Sequence, residues 1–207
     1  MFIIDAHHDL AYNAIRYNRE VRLPLTDLRE RERKTPAEGV PTVSIPTLLE
    51  GRIGLIFGTL FSMPIQRNVF MPDNKKLVYE NPDQAHAVAL AQLDFYQRLA
   101  DEVEQIRLVR NLPELEEVVA SHVEGEDGLL GIVALMEGAD PVREPAELEE
   151  WYERGVRLIG PAWDDTRYAG GAWREGSGFT REGFALMEGM ADLGFILDIT
   201  HLSDKAA

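Results

Sequence analysis

The sequence predicts an α/β fold built on a parallel sheet, and three observations carry that expectation. Short apolar, β-branched runs recur at Phe2 to Ile4, Ile53 to Phe61, Leu129 to Met136, Val156 to Ile159 and Phe195 to Ile199, each the length of a buried parallel strand. Helical patterns lie between them, and strand, helix, strand in repetition points to parallel strands joined by crossover helices. Four of the five runs also finish in residues able to do chemistry, at the strand ends where α/β folds build their sites.

The first run breaks off in Asp5, His7, His8 and Asp9 of MFIIDAHHDL. Side chains at i and i+2 of an extended strand point the same way, roughly 6 to 7 Å apart, so His7 and Asp9 can close on one ion. Asp5 lies further down the strand and reads as structural. His8 alternates away from His7 and reads as packing or as an outer contact to the site. With chemistry in the first ten residues, the expectation is a chain without signal peptide, transit sequence or membrane anchor in front of it. Arg16 to Thr42, charged and Pro-containing, reads as a surface excursion, as does Met63 to Asn81, rich in Pro and Asn. The run GLIFGTLFS between them ends blandly.

Pro82 to Val109 is the clearest helix, with Ala85, Val88, Ala89, Gln92, Leu93, Tyr96, Leu99 and Val103 forming a stripe with one polar member, a packing face. Shorter helices are expected over Pro113 to His122, Pro145 to Arg154 and Thr180 to Leu193, the first two with Pro in the first turn and the last with a Thr N-cap. His86 and His122 fall inside helical patterns and read as surface residues. The third strand run ends in Glu137 of ALMEGAD, the fourth in Trp163 and Asp164 of GPAWDD, and the fifth in His201 of FILDITH. Trp163 has a bland alternative as ordinary core, and any single Asp or His past a strand can simply cap a helix or bond a loop amide. Two His and two carboxylates on successive strand ends make a first shell for one or two metal ions.

Composition narrows the chemistry. With 207 residues, 45% of them hydrophobic, one large domain can bury a sizeable core. The sequence has no Cys, so any metal must be held by imidazole and carboxylate, which suits zinc or a neighbouring divalent ion. A net charge of -15 argues against a nucleic-acid surface, and no apolar run approaches the roughly 20 residues of a membrane span. The expectation is a soluble cytoplasmic protein with no nucleic-acid or membrane partner.

The string DAHHDL resembles the opening motif of the membrane dipeptidase (renal dipeptidase) family of zinc peptidases, and further landmarks follow in order. VSIPTLLEGRIGLIFGTLF resembles that family's leader into its second strand, MEGAD its strand-end Glu motif, GVRLIGPAW its fourth strand and LGFILDITHLSD its fifth strand with a terminal His. The resemblance covers the whole chain. It implies a (β/α)8 TIM-like barrel of metal-dependent hydrolase type, of which about the first five β/α units are present in a single domain over 1–207, incomplete at its C-terminal side. It implies two zinc ions, with His7 and Asp9 on the first, Glu137 bridging both and acting in catalysis, and His201 on the second. The implied substrate is a dipeptide, the reaction attack of a metal-activated water on the peptide carbonyl, and a homodimer is one expected state.

Two departures from the family pattern bear on function. Trp163 stands where the family's fourth strand usually ends in a His, and indole has one donor and no acceptor. A hydrolase of shifted specificity follows, with Trp163, Asp164 and Arg167 on the substrate side and Arg167 as a carboxylate contact. The chain also stops at HLSDKAA, where Ser203 looks like the N-cap of a further helix, so the 207 residues alone are expected to be weakly active or inactive. The alternatives are a non-catalytic metal-binding scaffold and a hydrolase of another small amide.

Overall fold

The computed structural model describes residues 2–34, 39–70, 76–122, 128–173 and 177–207, the side chains of 68–70 excepted. In chain order the elements are β1 (Ile3–His8), α1 (Leu10–Tyr17), α2 (Leu25–Lys34), α3 (Ile45–Glu50), β2 (Ile53–Phe61), β3 (Met63–Pro64), a 3-10 turn (Ile65–Phe70) and β4 (Val78–Tyr79). They continue with α4 (Pro82–Glu102), β5 (Ile106–Leu108), α5 (Leu112–Ser121), β6 (Leu130–Glu137), α6 (Leu148–Glu153), β7 (Val156–Gly160), α7 (Arg181–Leu193) and β8 (Ile196–Leu197).

The main sheet runs β1-β2-β6-β7-β8 with every pairing parallel, and β5 joins the N-terminal half of β6. Its centre is the most deeply buried part of the molecule, since all eight residues of β6 are buried. Alternation along β2 and β6 sorts side chains between the two faces. Ile56, Leu60, Ile132, Ala134 and Met136 pack on the helical side with residues of α1, α4, α6 and α7. Leu55, Val133, Leu135 and Leu158 point to the other side, where Val109 and Val118 meet them. The register sets Phe61, Glu137 and Gly160 side by side at the C-terminal end of the sheet, so the odd-numbered face that is apolar lower down ends in Glu137.

Helix termini follow the local chemistry. Asn81, Asn111 and Thr180 each accept from the backbone N–H three residues on, capping α4, α5 and α7. Gly194, left-handed at φ 78°, ends α7. Gln92 is fully buried in α4, where it accepts from the Phe61 N–H at 3.1 Å and donates to the Phe61 carbonyl at 2.7 Å. That clasp satisfies the backbone at the end of β2 where the ladder runs out.

Four expectations need correction. The helix from Pro82 stops at Glu102, Val103 is extended, and Ile106–Leu108 forms β5. Val103 and Ile106 continue the helical spacing of the stripe, but Ile106 is fully buried against the end of β6, and that pairing overrides periodicity. The excursion from Arg16 to Thr42 contains α2, whose single buried residue, Leu28, leaves no apolar stripe to read. His86 is not on the surface: it is buried, its Nδ1 is 3.0 Å from the Pro141 carbonyl and its ring meets Trp151. His122 is half-buried, edge-on to Phe2 with Nε2 2.7 Å from the Leu129 carbonyl. Among the described residues no helix is long and apolar enough to cross a membrane.

Candidate metal centre

β1 ends at His8, and Asp9 is the N-cap position of α1. His7 and Asp9 therefore come from a strand end and a helix start, yet they meet, with His7 Nε2 3.7 Å from Asp9 Oδ1. Thr59, fully buried in β2, donates to the same Asp9 oxygen at 2.6 Å. Tyr96 of α4 braces this corner, its hydroxyl 3.2 Å from the Thr59 carbonyl and accepting the Ala11 N–H at 3.2 Å. The strand end that looks bland in the sequence thus supplies the group that orients Asp9. The one signal for it is a lone hydroxyl in the apolar run GLIFGTLF.

Glu137 closes the site from the central strand. One carboxylate oxygen lies 3.6 Å from His7 Nε2 and the other 3.3 Å from His201 Nε2. His7, Asp9 and Glu137 each offer a ligand atom within 4.8 Å of the other two. Gly138 follows at φ 86°, where an L side chain is strained, and it lets the chain leave β6 and donate to the Gly160 carbonyl at 3.0 Å. Burial is the main force that raises Glu137 to about 8, and the negative charges of Asp9 and Asp198 add to it. A buried carboxylate between two imidazoles and facing two further acids is short of positive charge, which a divalent cation would supply. The donor set fits an imidazole and carboxylate site of the zinc type.

His201 reaches Glu137 from the loop after β8. Its φ is 68°, left-handed and uncommon for a residue with a Cβ, and the Ala172 N–H donates to its carbonyl at 2.8 Å. Burial, with His7 nearby, lowers its pKa. His8 points away from the pair, half-buried, with its pKa lowered chiefly by burial and Nδ1 without a hydrogen-bond partner. Asp5 accepts from the His7 N–H at 3.2 Å.

Of the other expected site residues, Trp163 and Asp164 line a small cavity with Glu137, and Arg167 is outside that lining. The Trp163 ring lies between Phe61 at 5.0 Å and His201 at 6.5 Å, centroid to centroid. Asp164 is buried and takes both Nε and Nη2 of Arg67 in a two-pronged ion pair. Arg67, inside the stretch read as an excursion, escaped the sequence reading because an isolated Arg in a Pro and Asn-rich stretch carries no pattern. Arg167 donates to the Val142 carbonyl and to the Tyr168 hydroxyl, and its Nε is 3.8 Å from Asp140. These bonds tie Arg167, in the loop after β7, to the loop after β6.

Comparison with known proteins agrees with this architecture. A family model described as membrane dipeptidase (Peptidase family M19) matches residues 1–207. A metallo peptidase from Rhodobacter sphaeroides, solved with a phosphinate mimic of the dipeptide L-Ala-D-Ala, superposes on 100% of this chain and 60% of its own, with TM-score 0.72 and 20% identity. The probable dipeptidase PvdM from Pseudomonas aeruginosa gives TM-score 0.69 at 18% identity, over 100% of this chain and 48% of its own. A curated protein from the PQQ-III 3' region of Acinetobacter calcoaceticus is 29% identical over 132 residues, 59% of this chain and 40% of that protein. The chain thus spans between 40% and 60% of the length of these relatives. The solved relatives share its α/β fold, and the family model runs its whole length. The chain belongs to the membrane dipeptidase family, peptidase family M19.

Proposed function

We propose that the protein is a zinc-dependent dipeptidase, built as a (β/α)8 barrel whose first five units lie in these residues. The observation that carries the reading is the Glu137 carboxylate, buried at the end of β6 with one oxygen 3.6 Å from His7 and the other 3.3 Å from His201. A carboxylate shared in this way suits a pair of ions, with His7 and Asp9 on one side and His201 on the other. Bound there, zinc would lower the pKa of a coordinated water and polarise the peptide carbonyl under attack.

The chain's own residues have separate tasks. Glu137, with one oxygen toward His7 and the other toward His201, would hold the metal as a carboxylate between the two imidazoles. Thr59 points Asp9 at His7 by bonding Oδ1, which leaves less of the site's geometry to be organised at the moment of reaction. Trp163, beside His201, bounds the substrate side and offers one N–H but no basic atom, so proton transfer falls to other groups. The Arg67 and Asp164 pair fixes the loop that carries Trp163.

The test is removal of metal from the product of the full reading frame by chelator, followed by zinc addition and assay on a dipeptide panel. Hydrolysis that vanishes on chelation and returns with zinc is the expected result. Turnover that is indifferent to chelation, or a zinc-loaded protein with no hydrolysis of any dipeptide, would overturn the proposal.

A further inference from the structure

We infer that Trp173, together with Trp163, forms an aromatic wall that makes the site prefer substrates with a bulky apolar side chain next to the reacting carbonyl. This rests on the dipeptidase reading and adds a substrate class to it. Aromatic rings run in a row from the interior to the rim: Tyr12 to Phe61 at 5.5 Å, Phe61 to Trp163 at 5.0 Å, and Trp163 to Trp173 at 6.3 Å. Trp163 is also the ring beside His201. The row therefore passes the candidate metal centre and ends at Trp173, 64% exposed. An apolar substrate side chain laid against that indole would bury both surfaces from water.

Trp173 is held where it stands. Its Nε1 donates to the Trp163 carbonyl at 3.0 Å, and the neighbouring Ala172 N–H donates to the His201 carbonyl at 2.8 Å. Gly171 pairs with Leu202, and its N–H donates to Asp165 Oδ1 at 2.9 Å. A Cβ on Gly171 would sit 2.7 Å from the Asp164 backbone, so the turn that presents Trp173 packs directly on the loop that presents Trp163. The segment is bonded to the His201 turn itself, and the spacing between the indoles and the reacting centre is set by backbone. A stiff aromatic surface gains contact area at small entropic cost.

The indole faces set the rest of the preference. An acidic side chain gains nothing on an apolar ring face, and an alanine methyl is too small to cover an indole. Phe and Leu side chains are both apolar and large enough.

The product of the full reading frame, loaded with zinc, tests this on X-Ala and Ala-X dipeptides of both configurations, with X as Ala, Leu, Phe or Asp. We expect kcat/KM for Phe or Leu at one of the two positions to exceed that for Ala by about tenfold, with Asp poorest. Trp173→Ala should bring the Phe to Ala ratio of kcat/KM close to one, and Trp173→Phe should keep most of the preference. A flat side-chain profile in the parent protein, or a Trp173→Ala variant that alters all substrates alike or none, would overturn the inference and leave the dipeptidase reading intact. No hydrolysis of any dipeptide would remove both.

Discussion

Glu137 and His201 face each other across 3.3 Å but are held by opposite kinds of structure. Glu137 ends an eight-residue strand with every residue buried, paired on both sides. His201 follows a two-residue strand whose Ile196 and Leu197 are exposed, and its backbone is left-handed. The central strand fixes its carboxylate through cooperative burial, so moving Glu137 means disturbing the core. His201 relies on local hydrogen bonds, from the Ala172 N–H to its own carbonyl and from the Ser203 N–H to the Gly170 carbonyl, to hold its turn in place. One half of the site is set by the fold and the other by a rim.

The largest contrast should appear in stability. Ile132→Ala, at a fully buried position of β6, should cost about 2–5 kcal/mol in denaturant unfolding. In the 207-residue chain itself, where Ile196 of β8 is 57% exposed, Ile196→Ala should stay within about 0.5 kcal/mol. Comparable losses at the two positions would break the distinction.

A smaller effect belongs to the bond that orients Asp9. Thr59→Val keeps the shape and deletes the hydroxyl, and zinc affinity measured by calorimetry should fall roughly 10–100-fold, as it does when outer partners of metal ligands are lost. Thr59→Ser should restore most of it. Unchanged affinity in the valine variant would show that Asp9 needs no support from β2.

Protonation gives a third handle on the central half. In metal-free protein the folded state holds the Glu137 proton up to about pH 8, whereas an unperturbed Glu releases it near 4.5. The folded state binds the proton more tightly, so this stabilisation is complete below pH 4.5 and is lost as the pH rises through about 8. The Tm of chelator-treated protein should therefore decline over that window, and Glu137→Gln should flatten the decline.

The smallest effect tests the rim. His201→Gly removes the Cβ from a left-handed residue, and relief of that strain, of order 1 kcal/mol, outweighs the added freedom of the unfolded chain by a few tenths. The metal-free Tm should rise slightly while zinc binding weakens. A drop in Tm would mean that the imidazole itself holds the rim in place.

How much of this is legible in the sequence depends on how far each residue speaks for itself. The strand ends at His7, Glu137 and His201 are readable because polar groups interrupt apolar runs. The α4 stripe is readable because its period is regular, and Ala85, Ala89, Gln92, Leu93, Tyr96 and Leu99 are all buried. Thr59 and Arg67 are not readable as site residues, since their partners Asp9 and Asp164 are 50 and 97 residues away. β5 and the buried His86 escape for a related reason. Ile106 fits a helical pattern and only its pairing with Leu130 makes it a strand residue, while His86 is helical as its pattern implies and only its contact with Trp151 shows it to be buried.

Glu137 is the residue on which His7, Asp9 and His201 converge at the candidate metal centre. Calorimetric titration of zinc into the metal-free protein and into Glu137→Gln tests it directly. We predict tight binding by the parent and a loss in the variant larger than the roughly 10–100-fold expected of an outer partner, with the fold retained by circular dichroism. Equal zinc affinity in the two proteins would contradict the account.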